Sequence, residues 1–182
     1  MPFVINRADE RRAFKHIRDL CKEVRKEVFH AGWQSAKEYE KLVKEGIGKT
    51  TQPWFVPDKW EPLSDAWKAV KRWHVEQFWI ETAGIYHSIR TETLKNVLLA
   101  IEIFAGIRKG TDPEAFHRAL INEYGFVPGT KEGHGVPRPL FGPAADAFSK
   151  KKGNNQRYLI EGSRPKLLFQ AVVKTAIRRV YG

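Results

Sequence analysis

The chain opens with an alternation of apolar and polar positions that is typical of an amphipathic helix. Asn6 is a good N-cap residue, and the apolar positions that follow recur at spacings of three, four, three and four residues. These apolar positions, which form one stripe, are Phe14, Ile17, Cys21, Val24 and Val28. The pattern predicts a helix with one apolar face surrounded by lysines and arginines.

A second helix is predicted directly after this one. Ser35 and Glu38 form a capping-box pattern, and Gly46 follows as a stop signal. Residues 1–46 are therefore expected to form two helices, an N-terminal helical arm that precedes a core spanning residues 47–182.

The next segment, residues 47–63, combines prolines, glycines and aromatic residues. Leaving Trp54, Phe55 and Trp60 in water would be costly, so we expect an ordered loop. The string around Lys49 looks like part of a phosphate-binding loop. It lacks the first glycine of that motif and no apolar strand precedes it, so we reject that interpretation.

Helices and a strand alternate in the middle of the chain. Ser64 is expected to cap a helix that runs to about Glu81, and residues 96–104 are rich in branched and large apolar side chains typical of one buried strand. Asp112, followed by a proline, predicts a helix that ends at about Glu123.

The remainder is predicted to be a loop and two helices. The glycines and prolines of residues 125–142 favour a projecting loop or β-hairpin. A helix is expected from Pro143 to about Lys151, and another after Ser163 with one apolar face and basic residues elsewhere. The predicted fold class is α+β, with a small antiparallel sheet packed against several helices, an N-terminal helical arm and a basic C-terminal helix.

Charge is concentrated near the end of the sequence. The net charge is +11, and residues 138–182 hold ten lysines or arginines against two acidic residues. We expect a basic patch that faces an acidic surface, either an adjacent protein or DNA. Its predicted members are Lys150, Lys151, Lys152, Arg157, Arg178 and Arg179.

The residues with catalytic or metal-binding potential are scattered. The six histidines show no metal-ligand spacing, and the single cysteine, Cys21, is expected to be a small buried hydrophobe. One cysteine excludes an intrachain disulfide and suits a reducing cytoplasm. Glu102, within the apolar run, is expected to be a salt-bridged strand residue. No stretch approaches the roughly 20 apolar residues of a membrane span. We therefore expect no cofactor, no metal, no membrane and no catalytic residue.

Three segments, in order, resemble a known family. The first contains Trp60, Pro62, Leu63, Ser64, Thr82, Ser88 and Ile89. The second contains Glu123 and Gly125, and the third contains Pro137, Pro139, Phe141 and Pro143. Their order and spacing over residues 60–148 resemble the virion-morphogenesis or tail-completion proteins of tailed bacteriophages. Ala83 departs from that pattern, because the family has glycine there, and Leu140 and Phe141 are exchanged.

The resemblance implies a structural virion protein at the head–tail junction, assembled in the host cytoplasm. It implies a homo-oligomeric ring, with six copies favoured, through which DNA passes between head–tail connector, tail-terminator or tail-tube proteins. Neck completion protein, tail terminator and stopper remain open as roles within that junction. The alternative function is a sequence-independent DNA-binding protein that acts during phage morphogenesis.

Overall fold

The computed structural model describes residues 6–70, 77–79, 84–97, 100–125 and 135–149, together with residues 174, 178 and 179. Within these ranges the protein has α-helices and one antiparallel sheet, which confirms the predicted α+β class. The elements are α1 (Arg7–Gly46), α2 (Asp65–Val70), α3 (Gly84–Ser88), β1 (Arg90–Val97), β2 (Ala100–Gly106), α4 (Pro113–Tyr124) and α5 (Phe141–Ser149).

The first helix is continuous over 40 residues. Asn6 caps it as predicted, because its side chain accepts a hydrogen bond from the amide of Ala8 at 3.0 Å, and the helix ends at Gly46. The prediction of two helices is wrong. Ser35 lies inside α1 and is buried, so it packs in the core and does not start a new helix.

The loop after α1 is ordered, as predicted. Phe55 and Trp60 are buried, whereas Trp54 remains partly exposed. The amide of Gly48 donates to the Phe78 carbonyl at 3.0 Å, and the amide of Phe78 donates to the Lys49 carbonyl at 2.9 Å. These two hydrogen bonds attach the loop to a later segment of the chain.

The helix that follows Ser64 is shorter than predicted. It begins at Asp65, and its described part ends at Val70. Residues 77–79 are not helical, and Trp79 has a φ of 61°. The predicted extension of this helix to Glu81 is therefore wrong for these three residues.

The sheet is a two-stranded hairpin. The expected single strand over residues 96–104 is wrong, because this run contains the end of β1 and most of β2, paired antiparallel with Asn96 opposite Ile101. Nor is the run fully buried, since Val97 is exposed. Glu102 lies 3.8 Å from Lys95 across the hairpin, which confirms the predicted salt-bridged strand residue.

Helix α4 agrees closely with its prediction. The Asp112 side chain accepts from the Ala115 amide at 3.0 Å, and Pro113 occupies the first turn. Gly125 ends the helix in the left-handed conformation, with a φ of 79°. Helix α5 begins at Phe141, two residues before the predicted start at Pro143.

The core lies between the C-terminal half of α1, the loop, and helices α4 and α5. Leu42, Ile89 and Leu140 are fully buried there. Because Leu140 is fully buried, this end of the 125–142 segment does not project. Residues 126–134 lie outside the described ranges, and so does most of the predicted C-terminal helix, of which residues 174, 178 and 179 are helical.

Candidate functional site

The three resembling segments meet at one place, here called the motif junction and formed by residues 60–62, 78–79, 122–125 and 137–142. The indole nitrogen of Trp60 donates to the Pro139 carbonyl at 3.3 Å. The indole of Trp79 donates to the neighbouring carbonyl of Arg138 at 3.0 Å. Pro137 and Pro139 have no amide proton and favour an extended backbone. This segment therefore makes its contacts with the two indoles through its carbonyl oxygens, which accept hydrogen bonds. Sequence analysis missed Trp79.

Glu123 is the charged centre of the motif junction. Its carboxylate accepts hydrogen bonds from the amides of Leu140, Phe141 and Gly142 at 2.7, 3.0 and 2.9 Å. These amides form the first turn of α5, where backbone donors lack helical partners and the helix dipole favours negative charge. Because its carboxylate caps these three amides, Glu123 favours a helix that begins at Phe141, two residues before Pro143.

Arg138 faces the first segment from the other side. Its guanidinium donates to the carbonyls of Glu61 and Pro62, each at 3.2 Å, and lies 5.3 Å from the ring centre of Phe78. Burial lowers the pKa of Arg138, and the charge of the Glu61 carboxylate opposes that shift. The Arg138 side chain therefore joins the third segment to the first segment through contacts within the chain.

Helix α1 is tied to the same place by Tyr39. The phenol donates to the Phe141 carbonyl at 3.0 Å. Burial, with the nearby charge of Glu123, raises the pKa of Tyr39 to about 12. The hydroxyl therefore remains a hydrogen-bond donor throughout the neutral range.

A second contact joins the remaining motif residues to the start of α4. The Ser88 hydroxyl donates to the Gly84 carbonyl at 2.9 Å and is hydrogen-bonded to the Asp112 carboxylate. Hydrogen bonds from Ser88 and from the Ala115 amide lower the pKa of Asp112. Ile89 beside it is fully buried. Thr82 lies outside the described residues.

The motif residues therefore hold the fold together. Trp60, Leu63, Ser88 and Ile89 are buried, and Glu123 is hydrogen-bonded between segments. Leu63 is buried in the core, Ser64 precedes α2, and Pro143 lies within the first turn of α5. This arrangement positions helices; it does not gather reactive groups around a cleft.

A buried acid links α1 to the sheet. Glu40 accepts hydrogen bonds at 2.8 Å from Lys37, Lys44 and the Thr91 hydroxyl. Burial alone would raise the pKa of Glu40, but these partners outweigh it and lower the pKa to about 2. Tyr86 covers this cluster, with the Lys44 ammonium 5.1 Å from its ring centre. Sequence analysis missed this cluster, because nothing in the spacing pairs Glu40 with a strand residue 51 positions away.

The predicted basic patch is described only at its end. Lys150, Lys151, Lys152 and Arg157 lie outside the described residues. Arg178 is exposed. Arg179 forms ion pairs with Glu27 and, at 3.9 Å, with Glu23, both on α1. Arg179 is thus paired with acidic residues on one side of the first helix.

The N-terminal half of α1 is exposed. Phe14 is 60% exposed and Ile17 is 54% exposed. Cys21 is also exposed, so the prediction that it is buried is wrong. The apolar stripe is present as predicted, but its first half has no described partner within the chain.

Within the described residues, no group of three or more histidine, cysteine, aspartate or glutamate side chains could hold a metal ion. No helix in the same ranges is long and apolar enough to cross a membrane. Comparison of the chain with family models, curated proteins and solved structures finds no match.

Proposed function

We propose that this protein is a structural subunit of a tailed-bacteriophage particle, located at the junction of head and tail. In this proposal several copies, six being favoured, form a ring through which DNA passes. Its neighbours are head–tail connector, tail-terminator or tail-tube proteins, and assembly takes place in the host cytoplasm. The role requires binding surfaces and no catalytic residue.

The observation that carries the proposal is the convergence of the three resembling segments at the motif junction. Residues separated by 79 positions, Trp60 and Pro139, are in direct contact there. Glu123 of the second segment caps the helix that the third segment begins. A chance match of proline, glycine and aromatic residues would not require the matched positions to contact one another. These contacts bring the three segments together in one folded unit, which supports the resemblance on which the proposal is based.

The charge distribution favours a second candidate, a DNA-binding protein without sequence preference. Residues 138–182 carry ten basic residues against two acidic ones. Such a segment binds phosphates through a term that weakens steeply with salt. Part of this charge has another use, because Arg179 pairs with Glu23 and Glu27 of the same chain. The structural role is therefore preferred.

The decisive test is deletion of the coding sequence in the phage that carries it. We expect filled heads and separate tails to accumulate, with joining restored by the wild-type protein supplied in trans. Quantitative mass spectrometry of wild-type particles should find a fixed small number of copies, near six per particle. Normal joined particles after deletion would contradict the proposal.

A gel shift distinguishes the alternative. Purified protein is mixed with a short DNA duplex of random sequence at low salt and at physiological salt. For the structural role we expect weak retention that disappears at physiological salt. Tight binding that persists there, together with a deletion that blocks packaging of DNA, would favour the DNA-binding function.

A further inference from the structure

The inner face of α1 continues beyond the described body of the protein. Ala31, Ser35 and Leu42 on this face are buried. The same helical spacing leads back to Phe14 and Ile17, which are more than half exposed, and every residue from 6 to 18 is exposed. The helix is unbroken, and a seven-residue repeat drifts by about 20° per heptad on a straight helix, so the stripe turns gradually between Leu42 and Phe14. The exposed stripe is continuous in register with the buried positions but does not face the same direction.

The spacing of the stripe is that of a coiled-coil seam. Apolar residues separated alternately by three and four positions form a line along one side of the helix, and Ala13 and Leu20 border this line. In heptad notation Phe14, Cys21 and Val28 occupy a positions, and Ile17 and Val24 occupy d positions. An isolated helix of about 15 residues is marginal in water, so a second helix on this seam would stabilise the arm.

One flank of the seam is a column of arginines. Arg11, Arg18 and Arg25 follow each other at seven-residue intervals, which places all three at heptad position e. Arg25 donates to the Asn96 side chain at 2.8 Å and is thereby held at the end of the sheet. Arg11 and Arg18 are exposed beside the exposed part of the seam. We propose that the N-terminal part of α1, residues 11–24, docks an acidic amphipathic helix of another protein by coiled-coil packing.

A second copy of this chain fits the seam poorly. In an antiparallel pair the e positions face each other, which would place arginine against arginine. In a parallel pair they face the g positions, of which Ala13 and Leu20 carry no charge and Glu27 is already paired with Arg179. The net charge of +11 adds repulsion between copies.

Nucleic acid fits poorly as well. Phosphates would engage Arg11 and Arg18 but leave Phe14 and Ile17 in water. On the side of α1 away from the arginine column, Glu23 and Glu27 pair with Arg179. These two carboxylates are therefore already paired, and the arginine column on the other flank carries the charge available to a partner.

The test uses the full-length protein and two synthetic three-heptad peptides with isoleucine at a and leucine at d. One peptide has glutamate at every e and g position and the other has lysine, so like charges keep each peptide from pairing with itself. Fluorescence anisotropy at physiological salt measures binding. We expect the acidic peptide to bind at least tenfold more tightly than the basic one.

Two variants identify the surface. The double variant F14A/I17A should reduce the affinity for the acidic peptide at least tenfold, and R11E/R18E should reverse the preference in favour of the basic peptide. The matched control is R12E/K26E, which makes the same change of charge at f positions on the outer side of the helix. It should retain the preference. All four positions of the test variants are exposed, so circular dichroism should show unchanged folding.

Labelling of the single cysteine provides an independent readout. Cys21 occupies an a position of the seam and is exposed, so the acidic peptide should slow its reaction with a thiol reagent at least tenfold. Equal binding of the two peptides, or unchanged thiol labelling, would refute the proposal.

Other occupants would give different outcomes, each of which also refutes it. A second copy would appear as a dimer in sedimentation that F14A/I17A dissolves. DNA would be retained by the wild type, and both charge-reversal variants would lose it equally. A membrane would appear as co-sedimentation with vesicles of phosphatidylglycerol. The inference depends on the geometry of α1 and not on the proposed function, so it stands or falls separately from the deletion experiment.

Discussion

At the scale of single residues, the Glu123 carboxylate joins the second and third segments of the motif junction. It receives three backbone amides from the start of α5, and each bond involves a charged acceptor. Such bonds are roughly twice as strong as neutral ones. Glycine at position 142 leaves room for this carboxylate, because a Cβ there would lie only 3.2 Å from the Oε1 atom of Glu123.

The substitution Glu123→Gln should destabilise the protein by about 1–3 kcal/mol. It removes the charge and replaces one acceptor oxygen with an amide donor that faces backbone N–H groups. Urea unfolding at neutral pH measures the change. The control is Glu102→Gln, which alters an exposed pair and should cost no more than about 0.5 kcal/mol. Equal effects of the two substitutions would show that the cap contributes nothing.

Glu40 makes stability depend on pH. Its pKa falls from 4.5, the ordinary value, to about 2 in the folded protein, because Lys37, Lys44 and Thr91 donate to the charged form. A carboxyl whose pKa is lowered by folding stabilises the folded state above the unfolded pKa. That contribution is lost as pH falls through the folded pKa. The window for this loss is therefore about pH 4.5 to 2.

The substitution Glu40→Gln should reduce stability at pH 7 by roughly 2–3 kcal/mol. The difference between wild type and variant should shrink as pH falls from about 4.5 to 2, since the wild-type carboxyl becomes protonated there. Urea unfolding at several pH values and constant ionic strength measures this. In the Glu102→Gln control the curve should run parallel to that of the wild type. A difference that is independent of pH would contradict the assigned role.

At the scale of elements, the sequence predicted where helices are capped better than it predicted whether a helix continues. Asn6, Gly46, Asp112 and Gly125 all act at helix ends as their residue types suggest, because a cap is a local interaction. The Ser35 capping pattern misled for the same local reason. Nothing nearby shows that Ala31 and Ser35 pack in one core, and this packing favours a straight helix through the predicted break.

The hairpin and the motif junction show the same limit. Residues 96–104 were correctly recognised as forming β-structure, but the sequence gives no strong turn signal at residues 98–99 to divide them into two strands. The motif residues were located by their spacing, whereas the hydrogen bonds from Trp79 to Arg138 and from Thr91 to Glu40 depend on tertiary packing. Periodicity reports which face of an element is buried and not which element covers it.

The end of α4 provides a test of backbone geometry. Gly125 has a φ of 79°, and a Cβ there would lie 2.4 Å from the Gly135 carbonyl oxygen. Gly125→Ala should therefore destabilise the protein by about 1–3 kcal/mol. Gly110→Ala is the control, because nothing lies within 4 Å of its added Cβ, and it should change stability little. Thermal unfolding of both variants decides whether the left-handed turn is required.

At the scale of the whole molecule, the basic patch is expected to act between molecules. Changing Lys150, Lys151 and Lys152 together to glutamate replaces attraction to an acidic neighbour by repulsion. We expect fewer joined, infectious particles, with the melting temperature changed by only a few degrees, since surface substitutions usually act within about 0.5 kcal/mol each.

The matched control for this variant is K49E/K59E/K109E, which makes the same change of charge at exposed lysines of the described body. Particle yield, measured by plaque counts and electron microscopy, should remain near the wild-type value for the control. If both triple variants lowered the yield equally, net charge and not the position of the lysines would be responsible.

The long reach of the motif junction has a consequence for biosynthesis. Tyr39 contacts Phe141 across 102 positions, so the part of α1 that packs against α5 cannot be covered until the chain has been made beyond α4. At about 5–20 residues per second, a ribosome needs roughly 5–20 s to synthesise the chain from Gly46 to Phe141. During that interval Leu42 and Val43, fully buried in the finished protein, have no partner from α5. The nascent chain therefore leaves these apolar side chains without their partner from α5 for seconds before folding can be completed.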